Sequence, residues 1–202
     1  MKKILFLFST ILYTALWSQN EIIDINDVKY NSLLDTNINY YKKDLNNLLD
    51  PFQGTYVYTN GNKSLKIILV KKIKQYNNSY YEDLIIGEYE YSVNGTTVQN
   101  TIPNLNVVDS NQFLGHAIAG SSTIDNNNRQ WKCPQCNLNE KRLRGIITDR
   151  STERSADFFI RKTTVNGQEV LQVYVGQVMV DIENMNPPEF SLPKGEFTMI
   201  KQ

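Results

Sequence analysis

The sequence predicts a mainly β protein, an antiparallel up-and-down meander closed as a barrel of about 8–10 short strands with a short N-terminal helix. Three observations carry this. Asn-Gly dipeptides at Asn60-Gly61, Asn94-Gly95 and Asn166-Gly167 each lie between apolar-alternating segments, which is the pattern of a β-hairpin with a type I′ turn. Two stretches alternate with period 2: Phe52 to Thr59, and Tyr80 to Val93, where Ile85, Gly87, Tyr89, Tyr91 and Val93 share a face. No two strand candidates are separated by a helical pattern of crossover length, so a parallel sheet is not expected.

The elements follow in order. Lys2 and Lys3 precede a mostly apolar run, Ile4 to Trp17, the form of a signal peptide covering residues 1–18 and removed on export. One domain is expected over 19–202, with 19–50 as lead-in and helix. Within it Asn39 to Asp50 is the helical candidate: Tyr41, Leu45, Leu48 and Leu49 recur at spacings of three and four, and Pro51 ends it. Phe52 to Thr59 and Leu65 to Val70 form the first hairpin. Tyr80 to Val93 pairs with Thr96 to Ile102. Phe113 to Ala119 is a short strand-like run, and Asn126 to Glu140 is polar loop. Leu143 to Thr148, Ala156 to Val165, Val170 to Val175, Gln177 to Ile182 and Phe197 to Ile200 are the remaining strand candidates.

The opening of the first strand, a short helix followed by Phe52-x-Gly54-Thr55-Tyr56, resembles that of the lipocalin-like (calycin) barrels. In those, a Gly-x-aromatic motif follows a short helix that closes one barrel end. The whole chain also resembles an uncharacterised family of small secreted bacterial proteins with such a barrel. The resemblance implies a fold and a pocket, and no catalytic residue. Tyr56 stands where lipocalins carry Trp, and Lys194 and Lys201 are the candidates for the late basic residue that stacks on it.

Charge narrows the partners. Lys plus Arg and Asp plus Glu number 21 each, and the isoelectric point is about 6.6. This balance disfavours nucleic acid and electrostatic docking to an anionic membrane. No second long apolar run follows the signal segment, so no membrane span is expected after its removal.

Catalytic constellations are weak. Cys133-Pro134-Gln135-Cys136 has CxxC spacing, but a thiol oxidoreductase needs it on a strand-to-helix turn of an α/β unit, and here it sits in a polar loop. A zinc site would need a second ligand pair. In an exported chain the two cysteines, the only ones present, are expected to pair as a local disulfide. His116, the only histidine, lacks a nucleophile motif beside it and reads as a satisfied strand histidine rather than a base. Glu88 and Glu90 share the polar face of their strand and read as solvated. Asp125 to Asn128 lacks the Gly and Glu of a calcium loop. No metal site and no cofactor are expected.

Two functions fit. The first is a secreted or periplasmic binding barrel for a small apolar or amphipathic ligand, with Tyr56, Tyr58, Ile85, Tyr89 and Tyr91 as the candidate lining. The second is a structural or interaction protein of the cell envelope with a filled core and a protein partner. An enzyme ranks third. The volume inside the barrel separates the first two.

Overall fold

In the computed structural model, described over residues 21–27, 40–179 and 188–202, eleven strands make one sheet system. They are β1 (Glu21–Asp24), β2 (Tyr40–Lys43), β3 (Gly54–Asn60), β4 (Lys63–Tyr76), β5 (Tyr81–Val93), β6 (Thr96–Asn100), β7 (Ile118–Ile124), β8 (Arg142–Asp149), β9 (Arg154–Val165), β10 (Gln168–Val178) and β11 (Gly195–Lys201). Eight of them form a closed antiparallel barrel in the order β3-β4-β5-β7-β8-β9-β10-β11, with β11 returning to β3. Closure removes every edge of this ring, which an open sheet of such strands would expose. The predicted signal segment lies outside the described residues.

The hairpin chemistry explains the register. Asn94 and Gly95, and likewise Asn166 and Gly167, all have positive φ, as a type I′ turn requires. The first hairpin is displaced by one residue. Asn60 pairs with Lys63, the turn residues are Gly61 and Asn62, and only Gly61 has positive φ, the Gly-first type II′ arrangement.

Alternation sends Tyr56, Leu65, Ile67, Leu69, Ile85, Tyr89, Phe158, Leu171, Val173 and Met199 into one core. At roughly 25 cal/mol per Å² of apolar surface buried, this core is the main stabilising term. β5 is buried on both faces from Glu82 to Tyr89, because other parts of the chain cover its outer side. That is why Leu84 and Ile86 interrupt its polar face.

The segment predicted as helix, 39–50, is over its described residues, from Tyr40 on, instead strand β2, a turn and one 3-10 turn at Asp50–Phe52. Two adjacent tyrosines favour the strand, where Tyr41 pairs with Tyr81 of β5. Asp44 then captures the amides of Leu48 and Leu49 at 2.7 and 2.9 Å, and Lys71 Nζ at 2.8 Å. Such side-chain acceptors compete with a helical ladder. Phe113 to Ala119 is also not one strand. Gln112–Gly115 forms a single helical turn, α1, whose start is capped by the Asn111 side chain, and β7 begins only at Ile118.

Both ends of the barrel are closed. The 3-10 turn packs against β4 and β9, which lie on opposite sides of the ring, and buries Phe52 and Leu49 across one end. At the other end Phe190 and Leu192 enter the same core. Ser191 between them donates from its amide and hydroxyl to Asp149 Oδ2 at 2.6 and 2.7 Å.

Candidate functional site

The five residues predicted to line a pocket are brought together. Tyr56, Ile85, Tyr89 and Tyr91 point into the barrel beside the half-buried Tyr58, which packs on Phe197 at 4.6 Å. Tyr56, Ile85 and Tyr89 are 0% exposed and Tyr91 is 3% exposed. A ligand-sized void would show as accessible surface on its walls, and these four side chains carry almost none, as in a filled core. The Tyr89 hydroxyl is spent at the end that Phe190 and Leu192 close. It accepts from the Arg150 amide at 3.1 Å, and burial raises its pKa above the ordinary tyrosine value.

Asp149 organises that end. Its carboxylate is fully buried and takes the amides and hydroxyls of Ser151 and Ser191. Burial pushes its pKa up, but these donors together outweigh burial and hold it below the usual carboxylate value.

Cys133 and Cys136 are joined as a disulfide. Their loop folds over the outside of β9 and β10, where Trp131 stacks on Tyr174 and approaches Phe159. Arg142, fully buried, holds it there. Its guanidinium lies over the Trp131 ring at 4.8 Å and donates to the carbonyls of Trp131 and Asp125 at 2.9 and 3.0 Å. Asn126 ties down the carbonyls of both cysteines. Asp125, in the stretch that superficially resembles a calcium loop, accepts from the Asn127 amide and pairs with Lys141 instead.

Glu88 is not solvated as the alternation suggested. It is 1% exposed, beneath the chain that runs from β6 to β7, with Oε1 2.8 Å from His116 Nδ1. His116 Nε2 lies 3.2 Å from Gln112 Oε1. His116 therefore follows α1 rather than sitting in a strand, and the pair fastens that crossover to β5.

A concavity with both apolar and polar walls lies on the barrel's flank. One edge of β5 serves three partners: β2 at Tyr81 and Glu82, β7 at Ile85 to Gly87, and β6 beyond them. β7 leaves β5 after Gly120, and beside Ser121 a cavity of about 360 Å³ opens. Its apolar wall is Tyr80, Phe113 and Leu114, the last 64% exposed. Glu82, Asn77 and Asn111 form its polar side. Glu82 is nearly fully buried and accepts from Asn77 Nδ2 at 2.8 Å. Asn111 Nδ2 donates to the Asn77 carbonyl. Tyr80 stacks on Tyr40 with centroids 4.5 Å apart, and its hydroxyl is pushed up to about 12, by burial first and then by the charge of Glu82. A second cavity, with Asn26, Thr123, Asp125 and Lys141 in its lining, lies further along β7.

These lateral residues escaped the sequence reading. Its only signals were Glu82 at the start of a strand and Phe113-Leu114 in an otherwise polar stretch. Among the described residues, no helix is long and apolar enough to cross a membrane.

The fold is thus an eight-stranded closed antiparallel β-barrel with a packed interior and a cavity on its flank. The chain belongs to a family of unknown function, DUF6705, whose model matches residues 1–202. No curated protein and no solved structure matches it.

Proposed function

We propose that the protein is exported, to the periplasm or beyond, and works through its outer surface as a recognition module with a filled core. The observation that supports this most is the interior: four of the five candidate lining residues at 0–3% exposure and Tyr58 partly buried against them, with Phe52 closing one end and Phe190 and Leu192 the other. A lipocalin-like ancestry fits the same barrel. Gly54 and Tyr56 open β3 after the 3-10 turn, and Lys201 lies opposite Tyr56 in register, close enough for its charge to act on the phenol. Export is supported by the basic and apolar segment over 1–18 and by the disulfide.

Native mass spectrometry on protein from its own host tests the core. The apoprotein mass alone is expected; an apolar molecule retained one-to-one, and lost only on unfolding, would restore the interior-pocket function. N-terminal sequencing of the exported form is expected to begin near Gln19, and a start at Met1 would remove the export reading.

A further inference from the structure

We propose that the flank cavity between α1, β5 and β7 is a binding site for a sugar ring, presented alone or at the end of a polysaccharide. This rests on the reading that the protein works through its outer surface. At about 360 Å³ the cavity falls within the size range of small-molecule sites.

Its chemistry is two-sided. Phe113 and Leu114 offer an apolar face that the barrel does not use; Leu114 is 64% exposed, although α1 could have turned a polar residue outward there. The rest of the lining is polar or part-polar: Glu82, Tyr80, Ser121, Asn77 and Asn111. Most amide capacity of the two asparagines is already committed. Asn77 Oδ1 accepts from the Ser79 and Tyr80 amides, Asn111 Oδ1 from those of Phe113 and Leu114, and their Nδ2 groups bond Glu82 and the Asn77 carbonyl. The polar side therefore offers acceptors, and the side-chain donor to its carboxylate is the Asn77 amide, on Oε1. A matching ligand brings several donors on one edge and an apolar face on the other.

Charge selects between a cation and a neutral molecule. Lys42 already lies within Coulombic reach of Glu82, with its Nζ over the Tyr80 ring at 5.1 Å. A second cation would meet that ammonium, whereas neutral hydroxyls would not. A pyranose meets each condition: equatorial hydroxyls that donate, and a C–H face for an aromatic or leucine surface. The site is also stiff, since Tyr80 is stacked on Tyr40 and Asn77 and Asn111 are held by their own bonds, which lowers the entropic cost of binding.

The test is an NMR titration of the full exported chain with glucose, galactose and N-acetylglucosamine and with their β-linked disaccharides, and with phenethylamine as the cationic probe. Saturable shifts at Tyr80, Phe113, Leu114 and Ser121 with at least one sugar are expected, and tighter binding of the disaccharide would mark a polysaccharide end as the source. Leu114→Ala and Ser121→Ala, both outside the core, should weaken binding at least tenfold with unchanged melting temperature. Glu82→Gln should do the same if it folds. No shift with any sugar, or shifts with phenethylamine alone, would overturn the sugar site and leave the packed-barrel reading standing. Shifts confined to Ile85 and Tyr89 would overturn both.

Discussion

Gly54 shows how one residue holds the start of the barrel. Its φ is +137°, which L side chains rarely adopt, and a Cβ there would sit 3.3 Å from the Tyr56 ring. Gly54→Val should cost roughly 1–3 kcal/mol through backbone strain and overpacking, read as a lowered midpoint in urea; an unchanged midpoint would show that the strand start can relax. Asp149 makes a second prediction. Its pKa is depressed in the fold, so its stabilisation is present above the unfolded value of about 3.9 and is lost as pH falls through the folded value. Asp149→Asn should lower stability by about 1.5–3 kcal/mol at pH 7. It should also reduce the loss of stability seen on acidification below about pH 4, measured by denaturant midpoints along a pH series. The alternation marks neither role: Asp149 ends a strand like any turn carboxylate, and its four donors come from Ser151 and from Ser191, 42 positions away.

The disulfide loop is the element whose chemistry was most legible. Two cysteines three apart in an expected exported chain predicted a pair, and the pair is present. Arg142 was not legible, because a guanidinium buried under a loop depends on the carbonyls that the loop folds toward it. Replacing both cysteines by Ser should cost on the order of 2 kcal/mol or less, since the ring is small. Arg142→Met should cost more, about 2–4 kcal/mol, because carbonyls of Asp125 and Trp131 lose their donor inside the protein. Thermal melts of the two variants check the order; a larger loss for the cysteine pair would mean that the ring, and not the guanidinium, holds the loop. Titration of denatured, unreduced protein should find no free thiol.

At the scale of the whole molecule, the two end closures carry the functional argument. Phe52 is 2% exposed under the 3-10 turn, and Phe190 is 6% exposed at the opposite end. Phe52→Ala should cost about 3–5 kcal/mol by opening a cavity in the core. Phe190→Ala should cost less, because its site lies at the rim and can collapse. If the barrel is filled, neither variant should gain affinity for an apolar dye such as ANS until it begins to unfold. Dye bound by folded Phe190→Ala with little loss of stability would show instead that this end is a door to an interior pocket.

By itself the sequence determined most of the barrel strands, the Asn-Gly hairpins to within one residue, and the inward set on β3 and β5. Alternation and Asn-Gly turns are local, and each is complete within about ten residues. It also determined the disulfide, since two cysteines leave one intrachain pairing. Only the tertiary structure decided where the 39–50 segment goes, because Asp44 meets Lys71 only after β4 is in place. It decided that Glu88 is buried against His116, since a strand's polar face gives no sign that a crossover will cover it. It placed the flank cavity, which exists because β5 pairs with β2 and β7 at different heights on one edge. And it decided that the aromatic interior is packed: the list of inward residues is written in the period of the strands, but whether they meet across the ring depends on its closure and on the two segments that cap it.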